Sequence, residues 1–242
     1  MRMTVSTVAE SQRTAARVAA FAYLATFAIV VYVNFGIHAR LITGSNAAET
    51  ARNILAHERL FRIGIAADVI YCAGVVVLLT ALYVVLKPVN CGLALLAALW
   101  RLIWVFMWLL MTLNLFDSLR LLSGAEYLRA FEAGRLQDLA RFHLGTSFDY
   151  YYVALLFGGL ASTTCAYLWF KSRYVPRALT GFGVLTSAFA VACTLTFIIF
   201  PDFDKIVTLS WFDVPMGLFD IALSLWILFK GLTLSPIVEG QT

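Results

Sequence analysis

Leu60-Phe61-Arg62-Ile63-Gly64-Ile65-Ala66-Ala67-Asp68-Val69-Ile70-Tyr71-Cys72-Ala73-Gly74-Val75-Val76-Val77-Leu78-Leu79-Thr80-Ala81-Leu82-Tyr83-Val84-Val85-Leu86 is an apolar run interrupted by two charges, Arg62 and Asp68. A membrane span needs roughly 20 apolar residues to cross about 30 Å of hydrocarbon. This run is long enough, and five more stretches qualify: about 15–37, 92–116, 144–170, 178–200 and 211–230. The connections between them are too short for a separate soluble domain. The expected fold is therefore all-α: a polytopic membrane helix bundle of six transmembrane helices in a single integral membrane domain, 1–242.

Composition agrees. Of 242 residues, 62% are hydrophobic and 13% charged, against about 25% charged in soluble domains. The net charge of +4 is modest, and no basic run interleaved with aromatics points to nucleic acid. Arg2, Arg13 and Arg17 precede the first span as in a signal peptide. Its length and the lack of a small-residue cleavage site predict a retained helix. Cys72, Cys91, Cys165 and Cys193 form no C-x-x-C pair and are expected to be thiols acting as small hydrophobes.

The chain also echoes itself. Residues 34–44, Asn34-Phe35-Gly36-Ile37-His38-Ala39-Arg40-Leu41-Ile42-Thr43-Gly44, match 114–124 at an offset of 80. Phe61-Arg62-Ile63-Gly64 with Asp68 and Tyr71 matches Phe142-His143-Leu144-Gly145 with Asp149 and Tyr152 at an offset of 81. This predicts an internal duplication of helix hairpins: repeat one about 15–90, repeat two about 92–176, and a last hairpin about 178–230. Each copy has two spans, so the copies run in the same direction through the membrane. The last hairpin, with Asp220 in its second helix, is a weaker match to the same unit.

Both long loops look structured. Asn46-Ala47-Ala48-Glu49 and Ser123-Gly124-Ala125-Glu126 have the capping-box form. Ala47, Ala51, Ile54 and Leu55 then recur at helical spacing, as do Tyr127, Leu128 and Phe131 before Gly134, a helix stop. Two interfacial amphipathic helices are expected. Six spans put both termini on one side. Lys171-Ser172-Arg173 with Arg177 concentrates basic charge beside the span ends there. Lys and Arg set orientation, so the expectation is a multi-pass protein with both termini cytoplasmic.

Arg62, Asp68, Arg101, Asp149, Asp213 and Asp220 fall within or at the edges of spans. A charge at bilayer depth costs at least roughly 2.5–3.5 kcal/mol, faces the bundle interior and usually marks function. Arg101 lies about 14 Å into its span, and Asp68 and Asp149 about 10 Å in from the opposite surface, at 1.5 Å per residue. The chain allows Arg101 to meet either carboxylate. Four aspartates face two arginines, so some of the acids must be protonated, hydrated or paired with a bound cation. Trp100, Trp104 and Trp108 form an i, i+4, i+8 stripe, and Trp104 lies within cation–π reach of Arg101. Arg62 and His143 hold equivalent repeat positions at the entrance. His38, His57 and His143 share no i, i+3 or i, i+4 relation, and H-E-x-x-H is absent. No metal or cofactor is assigned.

Further runs carry a resemblance. Arg13-Thr14-Ala15-Ala16-Arg17 opens the first span, and Asn53-Ile54-Leu55-Ala56-His57-Glu58 leads into Leu60-Phe61-Arg62. Ala81-Leu82-Tyr83 precedes Leu86-Lys87-Pro88-Val89-Asn90, and Leu95-Leu96-Ala97-Ala98 precedes Arg101. Ser172-Arg173-Tyr174-Val175-Pro176-Arg177 precedes span five. From Arg13 to Gly231 the chain resembles a bacterial membrane-protein family catalogued as domain of unknown function 4386. That family's form of span four is glycine-rich and apolar, whereas this one carries Asp149 and Tyr150-Tyr151-Tyr152. The resemblance implies a multi-pass architecture in a bacterial cytoplasmic (inner) membrane and brings no activity with it.

Three readings stay open. The first is a non-enzymatic protein with an intramembrane polar cavity that binds or passes a small molecule or cation. Its ligand-binding or charge-network residues are Arg62, Asp68, Arg101, Trp104, His143, Asp149 and Asp220. The second is a structural or regulatory subunit whose Arg/Asp network only fixes helices, with other membrane subunits as partners. The third is a membrane-embedded metal-dependent lipid enzyme. All share the lipid bilayer as a partner, and none involves nucleic acid.

Overall fold

Apolar residues with few helix breakers, in a solvent that cannot satisfy backbone polar groups, leave the helix as the natural solution. The computed structural model describes residues 10–43, 46–128 and 130–232, which contain helices and no strand. Arg2, in the flank of the first span, and Gly44, in the repeat, lie outside the described residues. Six helices are long and apolar enough to cross a membrane: α1 (Glu10–Leu41), α3 (Glu58–Leu86), α4 (Cys91–Leu122), α5 (Ala133–Ser172), α6 (Arg177–Ile199) and α7 (Ser210–Lys230). Each covers its expected apolar stretch to within one residue. Large side chains such as Ile70, Leu113, Leu185 and Phe229 are exposed on the chain, the outward face expected of helices in lipid. The protein is a multi-pass membrane protein.

α1 is not uniform. It is α-helical to Val31, widens into a π-helix over Tyr32–His38 and closes with one α turn, Ala39–Leu41. Long π segments are rare. Here Asn34 sends its side-chain amide back to the Val30 carbonyl at 3.0 Å.

A short helix, α2 (Ala47–Ala56), forms where the first interfacial helix was expected. Asn46 Oδ1 accepts the Glu49 N–H at 3.0 Å, the forward bond of the capping box. Thr50 Oγ1 and Asn53 Nδ2 then tie α2 to Thr43. Asn46→Ala should cost about 1 kcal/mol locally. The expected result is faster amide exchange over 47–56 with unchanged exchange in the spanning helices.

The second interfacial helix is a correction. Ser123 does not cap a new helix: its hydroxyl donates to the Arg120 carbonyl at 2.7 Å, and Gly124 takes a positive φ of 66°. Together they end α4, the ordinary role of a glycine just past a helix. A single 3-10 turn, Glu126–Leu128, follows. Gly134 is no stop either, because α5 starts at Ala133 and continues for 40 residues.

By packing, the chain divides into two compact units. The first takes the described residues of Met1–Leu24, Val75–Ile103 and Leu155–Thr242; the second takes Ala25–Gly74 and Trp104–Ala154. The division cuts through the first four spans and does not follow the repeat.

In the first unit, the core gathers Ala16, Ala20, Leu82, Val85, Leu168 and Trp169 with Phe219, Leu223 and Ile227. α6 buries a stripe of small residues, Thr180, Gly183, Ser187, Ala190 and Thr194. α7 buries larger ones, Phe212, Met216, Phe219, Leu223 and Ile227. With no hydrophobic drive between helices in lipid, small residues that let backbones approach supply the packing. A Cβ at Gly159 would lie 2.8 Å from Val191 Cγ2, so α5 also approaches α6 through a glycine. In the second unit, Ile37, Leu41, Ala51, Ile54, Phe61, Ile65, Leu115, Leu119 and Leu144 form the core.

Candidate functional site

Arg101, in the first unit, is 9% exposed. Its Nη2 donates to Tyr23 Oη and to Ser162 Oγ, both at 3.1 Å, and its guanidinium lies 5.4 Å from the Tyr23 ring centroid. Tyr23 in turn donates to the Asp220 carboxylate, which also feels the Arg101 charge. The tyrosine accepts from the cation and donates to the anion. Four spanning helices (α1, α4, α5 and α7) thus meet at one buried charge relay. A cavity of about 10 Å³ reaches Arg101 and Cys165 beside it, about the room that a single water needs.

The expected partners of Arg101 were Asp68 and Asp149, and the expected ring was Trp104. Within its own unit the carboxylate beside Arg101 is Asp220 and the ring is that of Tyr23. Tyr23 and Ser162 were not singled out in the sequence. The available signal was a tyrosine in the middle of an otherwise apolar span, which must find a polar partner there.

Asp68, in the second unit, is 1% exposed. Its Oδ1 accepts the Trp108 indole N–H at 3.2 Å, while its Oδ2 is buried with no hydrogen-bond partner among the described residues. An ionised carboxylate offers about four lone-pair sites, and one is used here. Trp108 belongs to a cluster of four rings. Tyr71 and Trp108 have centroids 4.5 Å apart, and Trp104 lies 5.6 Å from Trp108. Tyr151 stands edge-on to Trp104 and Trp108 at 6.2 and 5.9 Å. Trp104 donates its indole N–H to the Tyr71 hydroxyl at 3.0 Å. Helix periodicity explains the gathering: Asp68 and Tyr71 are i, i+3 on α3, and Trp104 and Trp108 are i, i+4 on α4.

The other expected site residues of this unit stand apart from that cluster. Arg62 is 54% exposed at its side chain and pairs with Glu58 at 2.7 Å, an i, i+4 surface contact. His143 faces Asn114, with Nδ1 and Oδ1 3.5 Å apart. Asp149 is exposed, against the expectation that it faces the interior. The repeat explains the error. Phe61, Gly64, Asp68 and Tyr71 are buried, whereas their counterparts Phe142 and Asp149 are exposed and Gly145 and Tyr152 half-buried. The matched residues are kept in sequence but the helix faces they mark are not. No group of three metal-type ligands converges among the described residues.

The fold and these two polar clusters define a helical multi-pass membrane protein with ionisable groups in its interior. The chain belongs to the family described as Domain of unknown function (DUF4386), whose pattern matches residues 18–231. No curated protein and no solved structure matches it.

Proposed function

We propose that this is a non-enzymatic protein of a bacterial cytoplasmic membrane, with both termini cytoplasmic, that binds or passes a small molecule or cation at Asp68. The observation that carries this reading is the buried Oδ2 without a partner. Leaving a buried polar atom unsatisfied costs roughly 1–3 kcal/mol, and more for a charged group. A chain keeps such a group where something else completes it: water, a proton or a ligand. Asp149 has no comparable burial, so only one of the two repeat aspartates serves the site. The matched blocks themselves support descent from a duplicated hairpin.

A structural reading is favoured for the other cluster. Arg101 bonds to Tyr23 and Ser162 on two other helices, Asp220 on a third feels its charge, and a cavity of about 10 Å³ lies beside it. Asp220 Oδ1, like Asp68 Oδ2, is buried with no hydrogen-bond partner among the described residues, but unlike Asp68 its carboxylate has a cation close by. The cluster fits a helix lock better than a ligand site.

Native mass spectrometry of the wild type, Asp68→Asn and Asp149→Asn, each extracted in mild detergent, tests the proposal. A small bound species is expected in the wild type and in Asp149→Asn, and should be lost from Asp68→Asn with its melting temperature unchanged. Equal occupancy in all three proteins, or none in any, overturns it.

A further inference from the structure

Asp68 Oδ2 shares its condition with a second atom of the same unit. His38 Nε2 is also buried with no hydrogen-bond partner among the described residues. His38 closes the π segment Tyr32–His38 of α1, and π turns recur at functional sites. Its ring centroid lies 6.3 Å from that of Phe61, and a Cβ built at Gly64 would lie 3.6 Å from Nε2. The imidazole therefore rests on α3 one turn before Asp68. Gly64 and Asp68 are i, i+4, which puts their Cβ positions about 5–6 Å apart on one face. A helical side chain leans over the turn N-terminal to its own Cα, which carries the Asp68 carboxylate toward Gly64 and His38. No hydrogen bond or ion pair joins the two groups among the described residues.

The carboxylate is 1% exposed, so what completes it from this side must be small. A proton needs no cavity. Imidazole carries protons well, because it can take one at one ring nitrogen and give one from the other. His38 lies three residues before the end of α1 at Leu41, about 4.5 Å at 1.5 Å per residue, and is half-buried. It stands between the membrane surface and the deeper Asp68. The titratable groups near Asp68 are Cys72 and Tyr71 on its own helix and, beyond Trp108, Tyr151 of α5. None of them is a cation that would hold the carboxylate ionised.

We infer that His38 and Asp68 form a proton-exchange pair, in which Asp68 takes up and releases a proton through His38 on the membrane side opposite the termini. This rests on the same carboxylate as the reading above and adds a proton to it. In the transfer, the Nε2–H bond of an imidazolium breaks and an Oδ2–H bond forms. A neutral imidazole and a carboxylic acid result, and the imidazole regains a proton at Nδ1 from interfacial water. Both partners end uncharged, which a poor solvent for charge favours. Transfer needs the two groups within hydrogen-bond reach, and a side chain at Gly64 would obstruct their approach.

Infrared spectroscopy of the full-length protein in detergent, at mildly acidic pH, tests the pair. A protonated carboxylic acid has a carbonyl stretch above the amide bands, and the part of that signal removed by Asp68→Asn belongs to Asp68. In the wild type this band should shift promptly on transfer to heavy water. His38→Gln and His38→Phe keep a side chain over Gly64 but relay no proton. In both, the band should remain and its shift should slow on the order of a hundredfold, within the usual worth of a positioned acid–base group. Gly64→Ala keeps both groups, adds a methyl 3.6 Å from Nε2, and should slow the shift as well. His57→Gln should leave it unchanged. Equal exchange in the wild type, both His38 variants and Gly64→Ala overturns the inference, as does the lack of any band that depends on Asp68. The native mass spectra judge the guest separately. A bound species without His38-dependent exchange keeps the Asp68 site and removes the pair; exchange without a bound species keeps the pair and removes the guest.

Discussion

Arg101→Met should lower the stability of the protein by about 3–5 kcal/mol, the usual cost of removing one partner from a buried charge pair. In a chain of this size that is a fall in melting temperature on the order of 10 °C. The loss has two parts. Tyr23 and Ser162 each lose a donor now 3.1 Å away, and Asp220 loses the cation that offsets its charge. Most of the cost comes from the second part, because the carboxylate stays behind in a poor solvent for charge. Arg101→Met combined with Asp220→Leu should therefore recover most of the loss. Removing both charges together is often neutral where removing one is not. Asp220→Asn keeps an oxygen that can accept from Tyr23 and should sit between the two. The check is thermal unfolding of all four proteins in one detergent. If Arg101→Met melts with the wild type, or the double variant is worse than the single one, the relay does not hold these helices together.

The six spans were legible because hydropathy over some twenty residues is a strong signal that no local choice overrides. Partners inside the bundle were not. Sequence places Arg101 at mid-span and counts four acids to face it, but depth alone does not say which helix faces which. Asp220 belongs to the weakest of the three hairpin matches, and the stronger matches drew the pairing toward Asp68 and Asp149. The repeat misled for a physical reason. In a helix, a counterpart kept at the same position faces the core only if the neighbouring helices also return to the same places. Asp68 is buried and Asp149 is exposed, so the surroundings have diverged even where the residues have not.

The loops divided similarly. Asn46 and Ser123 carry the same capping-box pattern, yet Asn46 starts a helix and Ser123 finishes one. A serine followed by glycine serves either end, and what decided it was whether the preceding helix still needed its last carbonyls satisfied. The apolar positions on α3 and α4 were legible singly. That Trp108 would reach Asp68, while Trp104 reached Tyr71, depended on the register between the helices.

Gly183→Ala separates helix propensity from packing, because the two predict opposite signs. On propensity alone, replacing a mid-helix glycine by alanine stabilises by roughly 0.5–1 kcal/mol. In this fold the added Cβ would fall against the Phe219 ring, 2.6 Å from Cδ2 and closer still to Cε2 and Cζ. Phe219 is fully buried and cannot swing aside. Overpacking of this kind costs about 1–3 kcal/mol, which exceeds the propensity gain, so Gly183→Ala should destabilise. Gly183→Leu should do more and prevent α7 from seating on α6. Phe219→Leu should cost something alone, through lost contacts, yet reduce the penalty of Gly183→Ala when the two are combined. That non-additivity is the signature of residues in direct contact. Thermal unfolding of the single and double variants measures it. A stabilised Gly183→Ala, or strict additivity with Phe219→Leu, would mean that α6 and α7 are not packed through this glycine. The small-residue stripe from Thr180 to Thr194 would then have no large partner to receive.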